Sequence, residues 1–306
     1  MKAGLLTRIW LNRCMNKKDT SALTIPQMAV FDIDGTITTP HSLSIPKDVL
    51  DGFAHLRQRG VITTVCTGRP YVRMKKALGD AFEKIIDDQA LISVEHGAKI
   101  VDKWGKVVVE SEFSDDDIDK LIEFTSLNID MVQFLAYNPS NLSRKTQIWC
   151  PEPSDAEETR KTRGWYADVF EGSLIDVKEH LYGEPISNVT LKLKNFIHVE
   201  NLKIEFTGGS IQAVFQDGAL EYLKSKVNKA RAITYMRKHF GIYERNILVA
   251  GNAINDVDML NMEADHRILV GPDSKSRETI LGYLYGKEHV IFVDTPLELG
   301  QYLQTL

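Results

Sequence analysis

Six short apolar runs, bounded by turn residues, constrain this chain more than any other feature. They are Met28–Phe31, Val61–Val65, Leu91–Val94, Ile247–Ala250, Ile268–Val270 and Val290–Val293. Each reads as a buried strand. Helical patterns fall between most of them, at Val49–Arg57, Val72–Leu78, Ala230–Phe240 and Leu297–Leu303. Strands alternating with helices predict an α/β fold, a parallel sheet covered on both faces. Such sheets bind ligands beyond the carboxyl ends of their strands, at a switch point in the strand order.

The middle of the chain has another texture. Strand-like runs occur at Val107–Phe113, Val132–Tyr137, Thr146–Cys150, Val189–Lys194 and Ile211–Phe215, with helical stretches at Asp115–Phe124 and Leu174–Leu181. Gln216-Asp217-Gly218 reads as a turn into Ala219–Leu223, closing a hairpin. Apolar and polar residues alternate cleanly here: Val189, Leu191 and Leu193 against Thr190, Lys192 and Lys194. This predicts an open, largely antiparallel sheet with helices on one face. A length of 306 residues suits two domains, and the order of patterns nests one inside the other. The expected boundaries are an N-terminal extension at 1–25, a split core at 26–102 and 223–306, and an inserted domain at 103–222.

Composition excludes several classes. Hydrophobic residues make up 43% and charged residues 26%, which is globular and neither disordered nor collagen-like. A net charge of -5 gives no basic field for nucleic acid. Cys14, Cys66 and Cys150 are too dispersed for a disulfide framework or metal pair, so a reducing, cytoplasmic setting is expected. No apolar stretch is long enough for a membrane span. Met1–Thr24 mixes Leu5, Leu6, Ile9, Trp10 and Leu11 with Lys2, Arg8, Arg13, Lys17 and Lys18. A loosely ordered extension is the expectation there, with an amphipathic surface helix or a targeting segment as alternatives. A signal peptide fits poorly, since Arg8 interrupts the apolar run.

Three polar elements directly follow expected strands. Asp32-Ile33-Asp34-Gly35-Thr36 comes after Met28–Phe31. Two carboxylates spaced i, i+2 can divide labour, one as nucleophile or metal ligand and the other as proton carrier. Thr67-Gly68-Arg69 comes after Val61–Val65 and offers a hydroxyl and amides suited to a phosphoryl oxygen. Gly251-Asn252-Ala253-Ile254-Asn255-Asp256 comes after Ile247–Ala250. Lys229, ahead of Ala230–Phe240, adds a cation beside a helix N-terminus. Chance turns would rarely converge on one sheet edge in this way.

These residues resemble the motifs of the haloacid dehalogenase (HAD) superfamily. Asp32 to Thr36 is similar to DxDGT, and Thr67-Gly68-Arg69 to TGR. Lys229 in Val227-Asn228-Lys229-Ala230 is similar to the lysine of VSKG, and Gly251 to Leu260 resembles GDGxNDxxML. Glu95-His96-Gly97-Ala98 falls where the Cof-type (IIB) branch has ENGA. The resemblance covers Gln27 to Leu303 and implies a Rossmann-like parallel-sheet core with an inserted α+β cap. It also implies a magnesium-dependent phosphatase acting on a small phosphorylated metabolite, with a sugar phosphate the leading expectation. Asp32 would be the nucleophile and Asp34 the general acid and base. Thr67, Gly68, Arg69, Lys229 and Asn255 would hold phosphate. Asp32, Asp34, Asn252 and Asp256 would form the Mg2+ site.

Two positions depart from the pattern. Asn252 stands where the fourth motif has Asp, removing one negative charge from the expected metal site, and His96 replaces an asparagine. The first departure motivates an alternative, a catalytically weakened phosphosugar-binding or regulatory protein. A phosphomutase is the third reading. Outside the motifs, Arg144, Lys145, Arg160, Lys161 and Arg163 make the inserted region locally basic, which is expected to be mostly solvated surface, with attraction of an anionic substrate as the alternative. Cys66 is expected to pack rather than react. Asn141-Leu142-Ser143 is a formal glycosylation sequon without secretory context.

Overall fold

The computed structural model describes residues 24–40, 42–142, 144–164, 166–182, 184–194, 209–216, 219–271 and 274–306. Residues 1–23 of the expected extension, Ser143 of the sequon and the turn residues Asp217 and Gly218 lie outside that set. The chain gathers into two compact units. One contains the described residues up to Thr67 together with Ala77–Ser93 and Lys229–Leu306, and the other contains Gly68–Lys76 and Val94–Asn228. No helix among the described residues is long and apolar enough to cross a membrane.

The first unit is built on a five-stranded sheet. Its order is Val290–Val293, His266–Val270, Ile247–Gly251, Met28–Phe31, Ile62–Val65, and every neighbour pair is parallel. A bridge between Cys66 and Ser93 adds the strand Leu91–Val94 beside Ile62–Val65. Four of the five sheet strands are buried along their whole length. That is why Met28–Phe31 and Ile247–Gly251 read as unbroken apolar runs rather than alternating ones. Helix Lys47–Gln58 buries Val49, Phe53 and Leu56, and the Phe53 ring lies 4.6 Å from that of Phe31. Helix Pro296–Leu303 packs against it, capped by the Thr295 hydroxyl accepting from the Glu298 amide at 3.2 Å. After Met28–Phe31 the chain builds one side of the sheet, then returns to build the other from Ile247–Gly251 outward. The switch point therefore lies between these two strands.

The second unit holds a six-stranded sheet ordered Ile211–Gln216, Ala219–Lys224, Ile186–Leu193, Val132–Pro139, Thr146–Trp149, Ala167–Phe170. The pairs are antiparallel except the last, which is parallel. The expected hairpin is present, with Gln216 opposite Ala219. One face carries helices Asp115–Leu127 and Leu174–Tyr182 over Leu135, Tyr137, Trp149, Leu191 and Tyr222. The expectation of helices on one face needs correcting. Phe134, Ala136 and Ile148 alternate with those residues and so face the other way, where they cluster with Ala156 and Tyr166. Ala156 lies on helix Pro153–Arg163, the crossover that a parallel pair requires. A small antiparallel pair, Lys99–Asp102 with Val107–Glu110, completes the unit.

Candidate active site

Parallel register decides which residues share an edge in the first unit. Phe31 pairs with both Val65 and Ala250. The next residues, Asp32, Cys66-Thr67 and Gly251-Asn252, therefore emerge together at the carboxyl ends. The Asp32 amide donates to the Ala250 carbonyl at 2.9 Å, and the Cys66 amide to that of Phe31 at 2.9 Å. Past Asp32 the chain folds tightly, with the amides of Thr36, Ile37 and Thr38 all donating to the Ile33 carbonyl at 3.1 to 3.2 Å. The Thr38 hydroxyl donates to that same carbonyl at 2.9 Å and accepts from the Gly35 amide at 3.2 Å. Gly35 sits at φ 77, a left-handed conformation that costs any other residue energy. A Cβ there would also collide with the Asn252 side chain. The first and fourth motifs are thus in contact.

Lys229 is the first residue of helix Lys229–His239 and is 1% exposed. Its ammonium stands 2.6 Å from Asp32 Oδ1 and 2.6 Å from Asp256 Oδ1. Burial works against its charge, but Asp256 and Asp32 outweigh burial and hold its pKa above the ordinary lysine range. Burial likewise raises the Asp32 carboxyl to about 6, with Lys229 pulling it down and Asp256 and Asp34 pushing it up. The other Asp32 oxygen accepts a long contact, 3.4 Å, from the Thr36 hydroxyl. Asp34 is half-buried two residues on.

Asp256 is fully buried and engaged at both oxygens. Besides Lys229 at Oδ1, its Oδ2 accepts the backbone amides of Asn252 and Ala253 at 2.8 and 3.0 Å. It is the strut of the fourth-motif loop, on which Asn255 is half-buried. The oxygens of Asp32, Asp34 and Asn252 remain as a hard donor set, the kind that suits Mg2+. Among the described residues, no group of three or more His, Cys, Asp or Glu side chains is arranged to hold a metal. Thr67 is buried, and its amide donates to the Ser93 carbonyl at 3.0 Å. Burial pushes the neighbouring Cys66 thiol to about 12, so it stays protonated and packs.

Gly68 and Arg69 belong to the second unit. A Cβ on Gly68 would collide with the His96 ring, and the Glu95 amide donates to the Arg69 carbonyl at 3.2 Å. His96 Nε2 lies 2.7 Å from Glu221 Oε2. Glu95 and His96 both adopt positive φ, 52 and 56, a strain non-glycine residues rarely carry without a local purpose. The Glu95–Ala98 turn braces the Gly68-Arg69 segment. The spacing of this turn was visible in the sequence, but its contact with Gly68 was not.

Comparison with known proteins agrees with this geometry. The family model of haloacid dehalogenase-like hydrolases matches residues 29–276. The chain belongs to that family. Among HAD relatives, an HMP-PP phosphatase from Escherichia coli is 24% identical over 243 residues, spanning 76% of this chain and 80% of that protein. A HAD-superfamily phosphatase from Bacteroides thetaiotaomicron shares the fold at a TM-score of 0.72 and 14% identity, covering 95% of this chain and all of that one. A HAD subclass IIB sugar phosphatase superposes at 0.68 with 16% identity, over 91% of this chain and 98% of the other. This HAD hydrolase thus has the parallel core sheet and additional antiparallel sheet of that subclass.

Proposed function

We propose that this HAD hydrolase is a phosphatase for a small phosphorylated metabolite, sugar phosphates being the first class to test. The observation that carries the reading is the Asp32–Lys229–Asp256 triad at the switch point, with both ion pairs at 2.6 Å. The Escherichia coli HMP-PP phosphatase and the subclass IIB sugar phosphatase to which the chain is similar favour phosphate esters of small molecules. The second unit is read as the cap that selects among them.

In this mechanism Asp32 attacks phosphorus in line, the Asp32–phosphorus bond forms, and the ester oxygen leaves with a proton from Asp34. Asp34 then takes a proton from water, which attacks phosphorus and releases phosphate from Asp32. Lys229 faces the nucleophile and offsets charge on the equatorial oxygens, with Thr67 and Asn255 as further donors. Asp32, Asp34 and Asn252 are the residues that would hold Mg2+, which when bound offsets the repulsion between carboxylate and phosphate. Asp256 contributes by fixing Lys229 and the backbone of Asn252.

A screen of phosphate esters with and without magnesium tests the proposal, with Asp32→Asn as the control that abolishes turnover. No phosphate release from any ester refutes it. Asn252 favours the second reading, a binding or regulatory protein. Near-zero wild-type turnover that rises strongly in Asn252→Asp would select it.

A further inference from the structure

The small strand pair of the second unit is joined to the six-stranded sheet through a group of buried charges. Lys99 and Glu110 stand opposite each other in the antiparallel pair, and Glu95 lies four residues before Lys99. The Lys99 ammonium is 3.4 Å from Glu95 Oε2 and 3.3 Å from Glu110 Oε1. It also donates at 3.3 Å to the carbonyl of Asn138, on strand Val132–Pro139 of the larger sheet. Ser187, on strand Ile186–Leu193, donates to Glu95 Oε2 at 3.0 Å. Every one of these residues belongs to the second unit.

The charges do not balance. Both carboxylates have their ion pairs with Lys99, so one ammonium serves two acids. The side chains of Lys99 and Glu95 are 0% exposed and that of Glu110 is 8% exposed, and an uncompensated charge at such depth is costly. Hydrogen bonding indicates how the excess is removed. Ser140 Oγ lies 2.6 Å from Glu110 Oε1 and 2.6 Å from the Pro185 carbonyl oxygen. A hydroxyl has one hydrogen to donate and a carbonyl has none. Both short contacts are satisfied when Ser140 donates to the carbonyl and accepts from a protonated carboxyl. Burial is the main influence raising the Glu95 pKa; Lys99 and Ser187 pull it down, and the Glu110 charge pushes it up. Two acids bound to one cation titrate as a pair. The adjacent His96 faces Glu221, on strand Ala219–Lys224, at 2.7 Å. The Glu95 carboxyl is thus tied down where the backbone is strained, at φ 52 and 56 for Glu95 and His96, and such strain persists only where the surroundings impose it.

We propose that Glu95 and Glu110 share one proton in the folded protein, and that its loss to solvent loosens the joint between the small strand pair and the larger sheet. With the proton the group is neutral overall: one ammonium, one carboxylate and one carboxylic acid. Without it the group is a buried net negative charge. That charge is relieved when Glu95 leaves Lys99 and Ser187 and the Glu95–Gly97 turn gives up its strained backbone. The folded pair binds the proton more tightly than the unfolded chain does. The joint is therefore firmest in acid and weakens as pH rises through the pair's raised titration. This switch lies within the second unit and does not depend on the phosphatase reading.

Two measurements on the full chain test it. Carboxyl-carbon NMR of protein labelled at glutamate reads the proton directly. One titration well above the ordinary carboxylate range is expected, and it disappears in Glu95→Gln and in Glu110→Gln. Glutamates that all titrate in the ordinary range overturn the proposal without any variant. Amide hydrogen exchange reads the joint, as protection factors at residues 95–102 and 107–111 from pH 5 to 9. Across that range protection falls roughly tenfold further in wild type than in Glu95→Gln, the equivalent of one pH unit of proton linkage. Glutamine holds the group at its balanced charge, and Glu110→Gln serves where Glu95→Gln does not fold. Strand Met28–Phe31 changes alike in both proteins. An equal fall at the joint in wild type and variant, or none in wild type, overturns the switch.

Discussion

Replacing Lys229 with methionine isolates the electrostatics at the centre of the proposed site. The side chain is 1% exposed, and methionine fills similar volume without charge. Its ammonium is shared between Asp32 and Asp256 at 2.6 Å each, so removal leaves two buried carboxylates facing each other unpaired. Removing one partner from a buried ion pair costs about 3–5 kcal/mol, and here two carboxylates lose the same cation. That would remove a large part of the stability of an ordinary domain, about 5–15 kcal/mol.

The pH dependence provides the sharper test. In the folded protein Asp32 titrates at about 6 against an ordinary 3.8, so the folded state binds the proton more tightly than the unfolded chain. Stability from this group is therefore highest below about pH 4 and declines as pH rises to about 6. The decline totals roughly 3 kcal/mol at about 1.4 kcal/mol per pH unit, and it is flat above that. Lys229 lowers the Asp32 pKa, so in Lys229→Met the pKa moves higher and the decline continues past pH 6. The deficit of the variant should be smallest near pH 4 and grow towards pH 8, reaching several kcal/mol. Urea unfolding of both proteins in chelator, from pH 4 to 9, gives this directly. A deficit independent of pH, or below about 1 kcal/mol at pH 8, would refute the reasoning.

Asn252→Asp restores an acid beside Gly35 and Asp32. In chelator it should be less stable than wild type through like-charge repulsion, yet bind magnesium about tenfold more tightly as the ligand charge rises, as read by calorimetry. Gly68→Ala pushes a methyl into the His96 ring. It should cost about 1–3 kcal/mol, and a double-mutant cycle with His96→Ala should recover most of that. Asp117 is held far below the ordinary carboxylate range, because hydrogen bonds from Lys224, Ser210 and Ser114 outweigh its burial. Its stabilisation is present at neutral pH and lost as pH falls towards its lowered pKa. Asp117→Asn should therefore cost about 1–3 kcal/mol at pH 7, and the deficit should close in acid, as followed by Tm against pH.

What the sequence revealed and concealed follows from which atoms do the work. Met28–Phe31, Leu91–Val94 and Val290–Val293 have the expected bounds residue for residue, and for Met28–Phe31, central in the sheet and buried throughout, the reason is that a strand covered on both faces needs apolar residues throughout. Helix Pro153–Arg163 was missed because it buries only Ala156 and Thr159 and so shows no apolar stripe. Its partner strand Ala167–Phe170 carries the exposed Asp168. Lys99 hid the strand Lys99–Asp102, since its charge is fully buried between Glu95 and Glu110. At the site, strand register forces Asp32, Thr67 and the Gly251–Asp256 loop to one edge, so side-chain identity at strand ends was enough to find them. The partners of Asp256 were not legible, because two of them are backbone amides, which every non-proline residue possesses. Those amides explain how the loop tolerates Asn252. Asp256 holds the backbone at 252 and 253 whichever side chain position 252 carries, so an amide in place of an acid there leaves the loop held.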